Sequence, residues 1–597
     1  MHVVATAGHV DHGKSALVRA LTGMEPDRWA EERRRGMTLD LGFAWTRLAG
    51  AGEVAFVDVP GHERLVGNML AGVGPVPAAL FVVAADQGWQ PQSAEHLAVL
   101  DALGVRHAVL AVSRSDLADP AAAREEALRR IAGTSLGTVP SVAVSAVTGH
   151  GMQDLRAALT GLALALPAPD PAADVRLWID RVFTVRGRGT VVTGTLRAGT
   201  LREGDRLELA RTGARLRVRG LQTLKEPRPE VTAVARVAVN VHGPGAGELR
   251  RGDALLTPGR WLTTDTVDVR LHGDPARDLP RHLTLHAGSA AVPVTVRPLG
   301  EDTARLRQAR ALPLRIADRA LLRDPGRHRI PAGVTVLDVR PPPLTRRGSA
   351  AARARELRAA SGTPDGAGEL RRRGLVRRTE LLAMGVAPPA EPVAGDWLAD
   401  PAHWAGLRDA LRRAVEQHAD GRPLEPGLPL EAARQALGLP DRSLVEALLA
   451  ADPALGQRDG RLYGSRRRPA LPPPVRDAVD AVRADLARAP FRAPETERLR
   501  ELGLTPPMLA AAATAGALLR IGDGIVLLPD ADARAAAVLS GLEQPFTASQ
   551  ARRALDTTRR VVIPLLEHLD RHGFTVRVDG ALRRCAAVGA GNPAVPG

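Results

Sequence analysis

The stretch Gly8-His9-Val10-Asp11-His12-Gly13-Lys14-Ser15 constrains this chain more than any other. An apolar run, His2 to Ala7, precedes it, and a helical pattern, Ser15 to Leu21, follows. A glycine-bounded loop between a strand and a helix curls so that successive N–H groups face one point, and the helix N-terminus adds its positive dipole end. Such a loop holds phosphate. Lys14 is placed to reach the β- and γ-phosphates of a nucleotide, and the Ser15 hydroxyl to bind Mg2+. In 597 residues lysine occurs only at Lys14 and Lys225, all other strong positive charge being arginine, which makes a lysine in this loop telling.

Further apolar runs at 54–59, 79–85, 107–113 and 141–145 read as buried strands, with helical stretches at 93–103 and 152–166. Their alternation predicts an α/β domain with a largely parallel sheet over residues 1–171. Asp58-Val59-Pro60-Gly61 ends one strand, so Asp58 can hold Mg2+ through water and the Gly61 N–H can sense a γ-phosphate. Thr38, in the long first connection, is placed to complete the metal shell. Ser113-Arg114-Ser115-Asp116 ends another strand, where GTPases carry Asn-Lys-x-Asp. Asp116 can accept hydrogen bonds from guanine N1 and N2, which adenine does not offer, and the stem of Arg114 can cover the base. Ser113 departs from the usual asparagine. Ser145-Ala146 adds a backbone contact to guanine. The nucleotide expected is GTP.

From about Val175 to Val339 short β-rich runs separated by Gly, Asp and Pro turns suit two small β-barrels, assigned to 172–260 and 261–342. Pro341 to Pro343 and the Arg-, Ala- and Gly-rich stretch that follows to about Gly368 read as a linker, assigned to 343–368. The remainder is expected to be mainly helical. Asp-Gly pairs near 459, 523 and 579 are hairpin signals recurring roughly every 60 residues after helical segments, which suggests winged-helix units. These are a degenerate region at 369–470, a unit at 471–540 and a last unit at 541–597. Thr547-Ala548-Ser549-Gln550 has capping-box spacing, and a further helix is expected from about Arg559 to Gly573.

Arg35 to Phe43, Asp58-Val59-Pro60-Gly61-His62, Asn68 to Gly74, the run Arg181-Val-Phe-Thr-Val-Arg-Gly-Arg-Gly-Thr-Val-Val-Thr-Gly194 and the run Arg559 to Arg571 together carry a resemblance. The chain resembles translational GTPases related to elongation factor Tu, and among them the selenocysteine-specific branch (SelB). The resemblance is dense to about residue 340 and returns at 546–585. It implies that His62 orients the water that attacks GTP when the ribosome engages the factor. It also implies that Phe43, Asp180, Arg181 and Arg236 form the pocket for the selenocysteyl group. An ionised selenol is rewarded there by two guanidinium groups, with Asp180 holding an arginine or the α-amino group.

The net charge of +15 suits phosphate backbones. In the last unit Arg552, Arg553, Arg559, Arg560 and Arg577, with Arg583 and Arg584, offer a basic face without aromatic residues. Such a face suits the phosphates and groove shape of a folded RNA better than a stretched single strand. Arg559 and Arg560 sit where cations oppose a helix dipole, which points to an external anion. The resemblance implies that the anion is an mRNA hairpin recoding UGA, and that selenocysteyl-tRNA and the ribosome are the other partners of a monomer. The alternatives are a generic or initiation-type tRNA carrier and a nucleotide-gated DNA-binding regulator. One cysteine, Cys585, precludes an internal disulfide and a cysteine-rich zinc site. With no apolar span and no leader pattern, the expected location is the cytoplasm, away from membranes.

Overall fold

The computed structural model describes residues 1–26, 41–60, 69, 72, 76–187, 189–327, 329–422, 425, 427–464 and 471–586. The chain divides into two units, Met1–Glu369 with Val376–Ala390, and Leu370–Leu375 with Glu391–Gly597. No helix among the described residues is long and apolar enough to cross a membrane.

The first unit begins with a six-stranded sheet built from β1 (His2–Ala7), β2 (Gly42–Leu48), β3 (Gly52–Asp58), β4 (Ala78–Ala84), β5 (His107–Ser113) and β6 (Ser141–Ala143), in the order β2-β3-β1-β4-β5-β6. Helices α1 (Lys14–Thr22), α2 (Pro91–Ala102), α3 (Ala121–Ala132) and α4 (Met152–Ala165) cover it. The strands are continuous apolar runs because both faces are buried. Val3, Ala5 and Ala7 of β1 pack with residues of α2 and α3, such as Leu100 and Ile131, while Val4 packs with Leu17 of α1 and Leu159 of α4. Strand β2 was not anticipated as an element of this sheet. It runs antiparallel at the edge, with Phe43 opposite Val57. Its sequence GFAWTRL mixes buried and half-exposed positions, as an edge strand does, instead of forming an apolar run.

Residues 176–256 form an eight-stranded sheet with an accompanying strand pair. Along Ala235–His242 every second residue is buried, the period of a wall with one wet face. Thr264 to Asp338 form a closed barrel of six antiparallel strands. The stretch expected as a linker is not free chain. It contains the helix Ser349–Ala359, whose Arg353 is 4% exposed and pairs with Asp268 at 2.7 Å and Asp338 at 2.5 Å. Those two carboxylates face each other across paired strands and are themselves buried, so they need a counter-charge, and Arg353 supplies it together with Arg305.

In the second unit the helix Pro401–Gly421 is capped by Asp400, which accepts from the His403 N–H. The Asp-Gly pairs join hairpin strands at 455–464, 519–527 and 575–585. At the first, Asp459 and Gly460 both adopt left-handed φ, 51° and 71°, as a two-residue turn requires. Residues 475–569 share one hydrophobic core, so the stretch 471–540 and the described part of the last unit, 541–586, are packed together. Residues 369–405, expected as part of a degenerate unit, are divided between the two compact units.

Candidate functional site

At the end of β1 the chain enters the phosphate loop through Gly8, φ 131°, where an added Cβ would lie 2.2 Å from the Val82 carbonyl oxygen. Asp11 and Gly13 are also left-handed, with φ 62° and 80°, which turns the loop back to start α1. Lys14 folds over the loop and donates to the carbonyls of Gly8 at 3.0 Å and His9 at 2.7 Å. Burial lowers its pKa to about 8, against the pull of Asp58 and Asp11. The Ser15 hydroxyl donates to Asp58 Oδ2 at 2.6 Å and the Thr6 hydroxyl to Oδ1 at 2.7 Å. Asp58 is fully buried, which pushes its pKa up, while these hydroxyls and Lys14 pull it down. Thr38, Gly61 and His62 lie outside the described residues.

Two residues of α2 that sequence reasoning missed hold the start of the loop. The Gly8 N–H donates to His96 Nδ1 and the Val10 N–H to Gln92 Oε1, each at 3.0 Å. Burial takes His96 down to about 3, so its ring is neutral and can accept. His12 is likewise held at about 4 by burial. A spacing of four places Gln92 and His96 on one helix face, the signal that was available in the sequence.

On the base side, the Ser113 hydroxyl donates to the His12 carbonyl at 2.6 Å. Ser113 therefore ties β5 to the phosphate loop. Arg114, at φ 56°, pairs with Asp86 at 3.1 Å and donates to the Asp11 carbonyl, which lays its stem along the same edge. Asp116 is exposed and makes no hydrogen bond or ion pair among the described residues. Ser145 is buried and accepts from the N–H groups of Val147 and Thr148, which leaves Ala146 beside the same rim.

A second site lies where β2 meets the first barrel, around a cavity of about 190 Å3. The Arg236 guanidinium sits 4.0 Å from the centre of the Phe43 ring, and that of Arg181 sits 5.4 Å from it. Asp180, 3% exposed, holds Arg236 through both carboxylate oxygens and accepts from Thr193 at 2.7 Å. Asp180 thus pairs with an arginine. Arg181 donates to the Leu41 carbonyl at 2.6 Å. Trp45 and Lys225 also line this cavity, with Lys225 Nζ 5.4 Å from the Trp45 ring centre. Both were missed, although Lys225 is the second of only two lysines in the chain.

In the last winged helix, Thr547 and Gln550 form the expected capping box. The helix Arg559–Arg571 carries Pro564 in its interior. Arg552 and Arg559 come together with Arg492 around one groove. Arg553 and Arg577 are exposed, the latter on the wing strand, and neither lines that groove. Arg560 is directed elsewhere: it donates to the carbonyls of Ala493 at 3.1 Å and Pro494 at 2.9 Å, so the protein itself answers its charge. Arg583 is buried against Asp570 at 2.8 Å.

Family models match three stretches: elongation factor Tu GTP binding domain over 1–164, elongation factor Tu domain 2 over 189–256, and elongation factor SelB, winged helix, over 537–583. Elongation factor Tu 2 of Streptomyces avermitilis is 32% identical over 294 residues, covering 45% of this chain and 75% of that protein. The chain belongs to the elongation factor Tu family. Within it, the selenocysteine-specific elongation factor of Desulfomicrobium baculatum is 41% identical over 273 residues, 45% of this chain and 43% of that factor. The chain spans about half the length of the curated selenocysteine-specific factors it matches. The crystal structure of a bacterial selenocysteine-specific elongation factor, EF-Sec, superposes over 98% of this chain and 100% of that one with a TM-score of 0.75 and 24% identity, so the two share a fold.

Proposed function

We propose that this chain is a GTP-hydrolysing elongation factor that binds selenocysteyl-tRNA and delivers it to the ribosome at UGA codons marked by an mRNA hairpin. The observation that carries this reading is the convergence of Arg181 and Arg236 on Phe43 in one small cavity. A selenol is largely ionised at neutral pH, whereas a serine hydroxyl and most cysteine thiols are not. Two guanidinium groups in a partly dry pocket reward that charge. Asp180 fixes the plane of Arg236, so that arginine is oriented before any ligand arrives.

GTP would lie with its phosphates over Lys14 and its guanine against Asp116. Lys14 would exchange two loop carbonyls for phosphate oxygens. Ser15 and Asp58 fit a divalent cation, since their oxygens already converge and the carboxylate is buried with hydroxyl partners and, among the described residues, with Lys14 as its nearby positive charge. Mg2+ held there would neutralise charge on the β- and γ-phosphates. His62 would orient the attacking water, and the loop containing Thr38 would order around GTP to complete the tRNA surface. Arg552 and Arg559 would hold phosphates of the hairpin.

The deciding experiment follows protection of the aminoacyl ester in GTP for selenocysteyl-tRNA, for seryl-tRNA on the same tRNA body, and for bulk aminoacyl-tRNA. Protection of the first alone is expected, and Arg181→Ala should erode that preference. Equal protection of all three would refute the selenocysteine assignment.

A further inference from the structure

The first unit has another cleft, of about 320 Å3, lined by both barrels and used by neither site described above. Its wall is a set of locked charges. Arg176 grips Asp318 with both terminal nitrogens, at 2.5 and 2.7 Å, and Arg315 holds Asp174 at 3.0 Å. The two guanidinium groups lie 4.6 and 3.5 Å from the centre of the Trp261 ring, so neither has freedom to turn away. Two glycines keep the lining flush: a Cβ at Gly288 would sit 2.4 Å from Trp178 Cδ1, and one at Gly385 would sit 2.8 Å from Arg315 Cδ.

Arg197 faces the same cleft and breaks this pattern. It is exposed, and it makes no hydrogen bond or ion pair among the described residues. Arg319 also contributes to the lining, but its guanidinium is turned to His272 at 3.1 Å, so the cleft gathers the guanidinium groups of Arg176, Arg197 and Arg315 against two carboxylates, Asp174 and Asp318. Arg176 repels the Arg197 guanidinium, and Asp318 offsets part of that repulsion. A cation in that position is rewarded by an anion arriving in the cleft.

We propose that this cleft is a second anion site, in which Arg197 takes a phosphate group against the fixed wall formed by Arg176 and Arg315. The group is either a small phosphate or a phosphodiester of bound RNA, since both present the same tetrahedral oxygens to a guanidinium fork. The site is separate from the aminoacyl pocket and does not depend on the selenocysteine reading.

The test uses the full chain with the phosphate loop filled, by GDP for the phosphate arm and by a non-hydrolysable GTP analogue for the RNA arm. Inorganic phosphate is titrated by calorimetry into the wild type, Arg197→Ala and Arg197→Lys, and deacylated tRNA is titrated at several salt concentrations. Arg197→Ala should weaken binding in one arm by about tenfold or more, with partial recovery in Arg197→Lys. If RNA is the source, the slope of log affinity against log salt should also shrink by about 0.7 to 0.9 in the alanine variant. A response to inorganic phosphate alone would assign the site to a small anion. Equal affinities across the three proteins in both arms would overturn the proposal. A lower thermal midpoint for Arg197→Ala would also overturn it, because the side chain would then be a structural cation.

Discussion

At the phosphate loop one buried ammonium, Lys14, rests on two carbonyl oxygens, whereas at the Phe43 pocket two guanidinium groups stand around an aromatic ring and one of them is gripped by a buried carboxylate. In the loop the cation is held in a costly environment, which the proposed exchange of the two carbonyls for phosphate oxygens would relieve. In the pocket Arg236 already has its counter-ion, and part of its charge serves the fold. The two sites should therefore answer mutation differently, the loop through affinity and the pocket through stability first.

The largest effect expected is at Arg236. Replacing it with alanine leaves Asp180, 3% exposed, without its ion pair, and should destabilise the first barrel by about 3–5 kcal/mol in denaturant unfolding. Arg236→Met combined with Asp180→Asn should recover most of that loss. Wild-type stability in Arg236→Ala alone would break the comparison. Lys14→Ala comes next. It should weaken binding of a fluorescent GDP by about 100-fold while leaving unfolding stability unchanged or slightly higher, because a desolvated cation is removed.

A smaller effect sharpens the same contrast. Lys14 has a folded pKa of about 8, below the ordinary value of 10.5, so the fold gains as pH rises from about 8 towards 10.5, while phosphate binding is favoured below it. GDP binding at pH 8 should take up about half a proton, measured by calorimetry in buffers of different ionisation enthalpy. Absence of uptake would mean that Lys14 is fully charged before the nucleotide arrives. The smallest change expected is for Ser113→Asn, which restores the family's usual side chain and should raise guanine-nucleotide affinity by up to about tenfold. No gain would mean that the tether from Ser113 to the His12 carbonyl already does what asparagine would do.

Much of the molecule was legible before any coordinates. The phosphate loop, the capping box at Thr547 and Gln550 and the Asp-Gly hairpins each lie within a few consecutive residues. Their geometry follows from local backbone preference and hydrogen bonds across two to eight positions, so sequence alone determined them. Strand β2, the helix in 343–368 and the loop clamp from α2 were not legible in this way. The bond from Gly8 to His96 joins residues 88 positions apart, Arg236 meets Asp180 across 56, and Arg560 is drawn to carbonyls 66 and 67 positions away. Nothing near these residues in the chain distinguishes an arginine that will bind RNA from one that will satisfy a buried carbonyl. Which polar groups meet depends on strand register and helix packing, and the tertiary structure alone decided it, because a buried charge or N–H must find its partner wherever the packed chain places one.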